Sequence, residues 1–199
     1  MNSLNRISYN IAEIAGKPND LSAILRIQDL IIYYRSLFLR RTIVNNNHIS
    51  SHFKQTLVED MDLFDISDIP NATNNLISRT INIIPKTIRM VNGELFTYVG
   101  GIDNMSPFYE INERTLSLIS YDKFSKKLPR FFIRNNYVYV FNTQPTQIKL
   151  IGVFEDPRVI SGFDADSVFP MSDDMTSLII NTILKEEFKI DNSVTEELK

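Results

Sequence analysis

Apolar positions recur at helical spacing over the first quarter of the chain and again near its end, and at alternate positions between. From Leu4 to Ala15, residues Leu4, Ile7, Ile11 and Ile14 return every three or four positions with Tyr9 beside them, predicting an amphipathic helix. Ser3 is placed to cap it, and Gly16 to end it in a left-handed conformation. Lys17-Pro18-Asn19 then turns the chain into DLSAILRIQDLIIYYRSLFLRRTIVNN, Asp20 to Asn46, the longest stretch without Gly or Pro. This predicts a second helix, capped by Asp20 and carrying Arg40 and Arg41 near its negative end. So short a connection predicts an antiparallel pair.

The second helix has no single apolar stripe. Leu21, Ile24, Leu25, Ile31, Ile32 and Leu39 fall on one side, while Ile27, Leu30, Tyr34, Leu37 and Phe38 cover much of the rest. A helix apolar nearly all round is buried on more than one side. Either its own chain wraps it or a neighbouring subunit covers part of it, and the residues alone leave both readings open.

After Asn45-Asn46-Asn47 the pattern weakens. HISSHFKQTLVEDMDLFDIS reads as a short helix running into an extended piece, with Leu57, Val58, Met61 and Leu63 suiting either. From Leu76 the period changes to two, and five or six short strands follow. TIRMV and ELFTYVG flank Asn92-Gly93, a strong hairpin signal. FYEI and TLSLISY come next, then a basic loop. FFIRNNYVYVFN predicts a second hairpin at Asn135-Asn136, with Phe131, Ile133, Val138 and Val140 on a buried face. QIKLIGVFEDP closes the set. After a loop from Pro157 to Pro170, Ser172 caps a last helix with Asp173 and Asp174 in its first turn. Met175, Leu178, Ile179 and Ile183 form its expected core face, with Ile180 and Leu184 off it.

The expectation is an α+β fold, a helical bundle of the two N-terminal helices plus the C-terminal helix, with an inserted antiparallel β domain. The expected divisions are 1–75, a helical part; 76–157, the β domain; 158–190, loop and C-terminal helix returning to the first two; and 191–199, a flexible acidic tail.

Composition adds exclusions. The 199-residue chain has no cysteine, which removes disulfides and thiolate chemistry. No apolar run approaches the ~18 residues of a membrane span, and no N-terminal basic-then-apolar signal appears. The expectation is a soluble protein acting where it is made, or in an assembly built there. The net charge of −3 is unevenly spread: residues 1–50 carry six basic and three acidic groups, residues 151–199 four and eleven. Such ends can pair head to tail between copies or simply solvate a monomer, the plainer reading.

Candidate chemistry is thin. His48 and His52 have one-turn spacing, but no Glu follows in the zincin manner and no third ligand is evident, so two solvated histidines are the simpler reading. Asp164 and Asp166 lack the rest of a calcium loop and read as a capped surface turn. Lys123, Lys126, Lys127 and Arg130 suit a soluble loop tip as well as a phosphate contact. No Walker loop, dinucleotide fingerprint or nucleophile elbow occurs, so no cofactor is expected and an enzyme reading has no positive support.

The order of segments carries more than any one residue. The opening LNRISYNIAEIAGKPNDLSAILRIQDLIIYYRSLFLRR, the middle RTINIIPKTIRMVNGELFTYVGGIDNMSPFYEI, the VYVFN and IKLIGVFEDPR stretches and the closing FPMSDDMTSLIINTILKEEF together resemble the structural ring, or head-to-tail connector, proteins of crAss-like tailed bacteriophages. More distantly they are similar to the adaptor, or tail tubular A, proteins of short-tailed, podovirus-like phages. The resemblance implies a virion subunit, assembled in the host cytoplasm into a dodecameric ring beneath the portal. Such a ring extends the DNA channel without sequence-specific binding, docks further neck and tail proteins, touches no membrane and turns over no substrate. It also gives a reason for the over-apolar helix, because ring subunits bury flanks on both neighbours. Tyr33, Tyr34, Arg35, Phe38, Arg40 and Arg41 are the expected subunit or portal interface, on aromatic and arginine enrichment. The alternative is a soluble nucleic-acid-associated protein that binds a strand through its β domain, on Tyr98, Phe131, Tyr137 and Tyr139 beside Lys126 and Arg134.

Overall fold

A computed structural model describes residues 2–46, 50–64, 77–89, 96–112 and 128–190. Among the described residues, three helices and seven strands make an α+β protein. The chain divides into two compact units: Met1–Gln55, Ile88–Glu94 and Val153–Lys199 form a helical unit, and Thr56–Thr87 with Leu95–Gly152 a β unit.

Local capping sets the helices. Ser3 Oγ accepts from the Arg6 N–H at 3.2 Å and starts α1, Leu4–Ile14. Gly16 at φ +71° ends it, a conformation that costs glycine little. Asp20 Oδ1 accepts from the Ala23 N–H at 3.1 Å and opens α2, Leu21–Asn46. Ser172 Oγ accepts from the Met175 N–H at 3.4 Å ahead of α3, Asp173–Glu187.

The three helices share one aliphatic core, in which Ile7 and Ile11 meet Ile27, Ile31, Leu39, Ile179, Ile183 and Leu184. On α2 the buried positions are Ile24, Ile27, Ile31, Ile32, Arg35, Leu39 and Ile43. They form one stripe, so the helix is not covered all round: Leu21, Leu25 and Tyr33 are exposed. On α3 the buried arc lies further round than expected. Leu178 is half exposed, while Thr176 and Leu184 are buried. The shift follows from α3 packing on both α1 and α2, which widens its covered arc on one side. Backbone bonds tie the ends of the unit together, Asn5 N–H to Ala165 O at 3.1 Å and Phe169 N–H to Asn2 O at 3.0 Å. Ile88, read from the sequence as a strand residue, joins this helical core.

In the β unit the strands are β1 Gln55–Leu63, β2 Ile77–Thr80, β3 Phe96–Gly100, β4 Tyr109–Glu110, β5 Arg130–Arg134, β6 Tyr137–Phe141 and β7 Gln147–Gly152. They form one sheet in the order β3-β7-β1-β2-β6-β5-β4. The sheet is mixed and not wholly antiparallel, because β4 pairs with β5 in parallel. The chain between them runs from 111 to 129, long enough for the crossover that parallel neighbours require. The segment expected to begin as a helix has only a 3-10 turn, Ser51–Phe53, before β1. Its carboxylates break helical periodicity, and pairing with β2 fixes it as a strand.

β5 and β6 form the hairpin expected at Asn135-Asn136, both at positive φ (52° and 62°). That is the geometry of a two-residue turn matched to strand twist. Phe131, Val138 and Val140 are buried as expected, but Ile133 is only half covered. The opposite face is buried too. Phe132 stacks on Tyr139 (4.8 Å) and Phe141 (5.3 Å), with Ile77 beside them. Asn92-Gly93 and the TLSLISY strand lie outside the described residues.

Candidate functional site

The buried stripe of α2 contains one charge. Arg35 stands four residues from both Ile31 and Leu39, where helical geometry points it inward, and it is fully buried. Its Nε donates to Pro170 O at 2.9 Å and its Nη1 to Phe154 O at 2.9 Å. The guanidinium lies 5.8 Å from the centre of the Phe169 ring. Burial lowers its pKa to about 10 against the opposing charge of Asp156, so it remains a cation at neutral pH. Arg35, expected at an interface between chains, is here an internal brace joining α2 to both ends of the loop before α3.

The outer face is built differently. Tyr33 is 61% exposed and meets Tyr34 edge-on at 5.2 Å. Tyr34 stacks on Phe38 at 6.2 Å, and the Arg41 guanidinium lies 6.0 Å from that ring. Burial, then the charges of Glu187 and Glu186, raise the Tyr34 hydroxyl above its ordinary value, so it stays protonated. Leu37, next to Phe38 in the chain, is half buried. The result is a continuous aromatic run ending in a cation, residue types that anchor protein contacts.

Arg40 sits beside this run and pairs with Glu155. Next to that pair, Arg158 holds Asp29 at 2.8 Å and Asp156 at 2.9 Å. Burial pushes the Asp156 carboxyl up, but the hydrogen bonds and charge of Arg158 outweigh it, with help from Arg35, and hold the group below its ordinary value. Thus Tyr33, Tyr34, Phe38 and Arg41 come together, Arg40 is tied down beside them, and Arg35 lies within. Sequence reasoning missed Glu155, Asp156 and Arg158. The signal for them was the alternation of charge in EDPR directly after a buried Phe154.

The remaining candidates are accounted for locally. His52 is exposed on the 3-10 turn, and His48 lies outside the described residues. Among the described residues no group of three or more His, Cys, Asp or Glu is arranged to hold a metal. Asp164 Oδ1 accepts from the Asp166 N–H at 3.0 Å, and Asp166 Oδ1 from Asn5 Nδ2 at 2.7 Å, so this turn anchors α1. Of the strand aromatics, Phe131 and Tyr139 are buried, and the Tyr98 hydroxyl donates to Gly101 O at 2.9 Å. Tyr137 and Phe64 hold Arg79 between their rings at 4.7 and 4.6 Å. Lys123, Lys126 and Lys127 lie outside the described residues, and Arg130 and Arg134 are partly covered. No described helix is long and apolar enough to cross a membrane.

Two comparisons with known proteins bear on this arrangement. No curated protein matches the chain. The model of a family described as phage tail ring protein 2 matches residues 6–198.

Proposed function

We propose a finer role for this chain, which belongs to the phage tail ring protein 2 family and is therefore a structural ring protein of a phage virion. It is a subunit of a dodecameric ring in the head-to-tail connector, stacked beneath the portal. The ring continues the channel through which packaged DNA passes and offers later neck and tail proteins a docking surface. Its work is assembly, with no substrate turned over. The β unit follows and precedes helical segments in the chain, which supports the reading of a bundle carrying an inserted β domain.

The observation that carries the proposal is the outward run Tyr33–Tyr34–Phe38–Arg41. It lies along the outward side of a helix whose inward stripe is already filled: Tyr33 and Arg41 are exposed, while Tyr34 and Phe38 keep one side against the helical core. A ring contact is heterologous and closes by rotation, so each copy needs such a surface and a complementary one. Replacing Arg40 and Arg41 together by Ala tests it. Ring mass, measured on the free chain and on chain mixed with portal, is expected to fall while the fold persists. Unchanged ring formation would overturn the role of this face. A steep salt-dependent affinity for DNA by an unassembled chain would favour the strand-binding alternative.

A further inference from the structure

Within the β unit, the register sets Arg79 of β2 opposite Asp62 on β1 and Tyr139 on β6, and alternation puts Ile77 on the same face. The guanidinium lies 4.6 Å from the centre of the Phe64 ring and 4.7 Å from that of Tyr137. Phe64 stands level with Ile77, and Tyr137 lies two residues before Tyr139, so the rings flank Arg79 from opposite directions along the strand. Neither ring is loose. Phe64 meets Tyr139 edge-on at 5.3 Å, and both Phe64 and Tyr137 pack against the buried cluster of Ile77, Phe132, Tyr139 and Phe141. The clamp therefore covers the broad faces of a planar cation whose five N–H donors all point within its plane.

Those donors are open. Among the described residues the guanidinium makes no hydrogen bond and no ion pair. Asp62 is the nearest acceptor by register, but its Oδ1 accepts from the Leu63 N–H at 2.8 Å. Asp60, two positions back on the same face of β1, accepts from Gln147 Nε2 at 2.7 Å. A cation held by its faces and open along its edge matches a planar anion that offers two oxygens side by side.

We propose that Arg79 is a docking point for one carboxylate of a protein partner, an Asp or Glu side chain that accepts two N–H groups in the plane of the clamp. Its neighbours favour a carboxylate over the phosphates of a nucleic acid. Asp60 and Asp62 are exposed on the same face, and a strand laid across Arg79 would carry a row of charges past both. A single carboxylate meets that repulsion once, against two donated bonds, with Arg134 opposite Tyr137 on the other flank. Only the source of the carboxylate rests on the ring reading: in a virion ring the chain lies against other protein subunits, second copies included.

Two measurements test the site. In the free chain, the side-chain Nε–H NMR signal of Arg79, identified by its loss in Arg79→Lys, is followed while sodium acetate replaces chloride at constant ionic strength. It is expected to shift saturably with acetate. Phe64→Leu and Tyr137→Leu, checked for folding by far-UV circular dichroism, should each weaken acetate binding about fivefold by freeing the fork. In assembled particles, Arg79→Lys chains are treated with a carbodiimide, which joins an amine to a carboxylate with loss of water. Position 79 should couple to an Asp or Glu of another subunit, with isotope-labelled and unlabelled chains mixed to tell own chain from neighbour. No saturable shift with acetate would overturn the site, and so would unchanged affinity in both ring variants. Coupling of position 79 only to Asp60 or Asp62 of its own chain would overturn the partner and make Arg79 an internal charge. Binding of single-stranded DNA that Arg79→Gln abolishes would overturn the choice of carboxylate. Acetate bound at Arg79 by a chain that never enters a larger particle would overturn the ring reading and leave the site standing.

Discussion

On the inner face of α2, Arg35 donates from Nε to Pro170 O and from Nη1 to Phe154 O, leaves Nη2 buried without an acceptor among the described residues, and is shut away from water. On the outer face, less than two turns further along, Arg41 lies over Phe38 with no ion-pair partner among the described residues. Residue type did not decide between these two addresses. A guanidinium can be buried only where acceptors have been assembled to receive it, and here they are backbone carbonyls brought in from distant loop segments. Where none are brought, the same side chain stays at the surface with its stem on an aromatic ring. The inner face thus serves the stability of one chain, while Arg41 on the outer side stays at the surface.

The contrast is open to measurement. Arg35→Ala should cost the most. It leaves two carbonyls without donors and removes packed volume, a loss of about 3–5 kcal/mol in urea unfolding. Arg35→Lys should fall between, because an ammonium lacks the fork that spans both carbonyls. A loss under about 1 kcal/mol for Arg35→Ala would break the distinction between the faces. Ile179→Val, at a fully buried position of α3, should cost about 0.5–1.5 kcal/mol.

Asp156 tests the charged cluster beside Arg35. Its carboxyl is held below the ordinary 3.8, so its contribution is present at neutral pH and is lost as pH falls through the folded value. Asp156→Asn should therefore cost up to about 1 kcal/mol at pH 7, given partial exposure. It should also flatten the stability profile below about pH 4 relative to the parent chain. Leu178→Ala should be smallest, within about 0.5 kcal/mol, because the side chain is half exposed. A large loss of stability there would place Leu178 in the wrong class.

What could be read in advance was what is local. Ser3, Asp20 and Ser172 cap the helices they precede because a cap needs only its own first turn. Asn135-Asn136 makes its hairpin for the same reason. Arg35 could not be placed, since the carbonyls that admit it lie 119 and 135 positions away. The true face of α3 was hidden too, because two partner helices and not one set its buried arc. β1 shows the same limit. It lacks clean alternation, and its strand state comes from neighbours on either side in the sheet. Composition drew attention to Tyr33, Tyr34, Phe38 and Arg41, whereas Leu178 was taken as a core residue and is half exposed.

The bonds from Asn2 and Asn5 to the segment between Ala165 and Asp173 have a bearing on synthesis. α1 and α2 leave the ribosome first, yet the apolar cluster they begin is finished only by Ile179, Ile183 and Leu184. A nascent chain holds that cluster wet until α3 emerges, and a prematurely terminated one never closes it. Closure of the interior is thereby tied to the arrival of α3, so a copy cut short before it keeps its apolar cluster open to water.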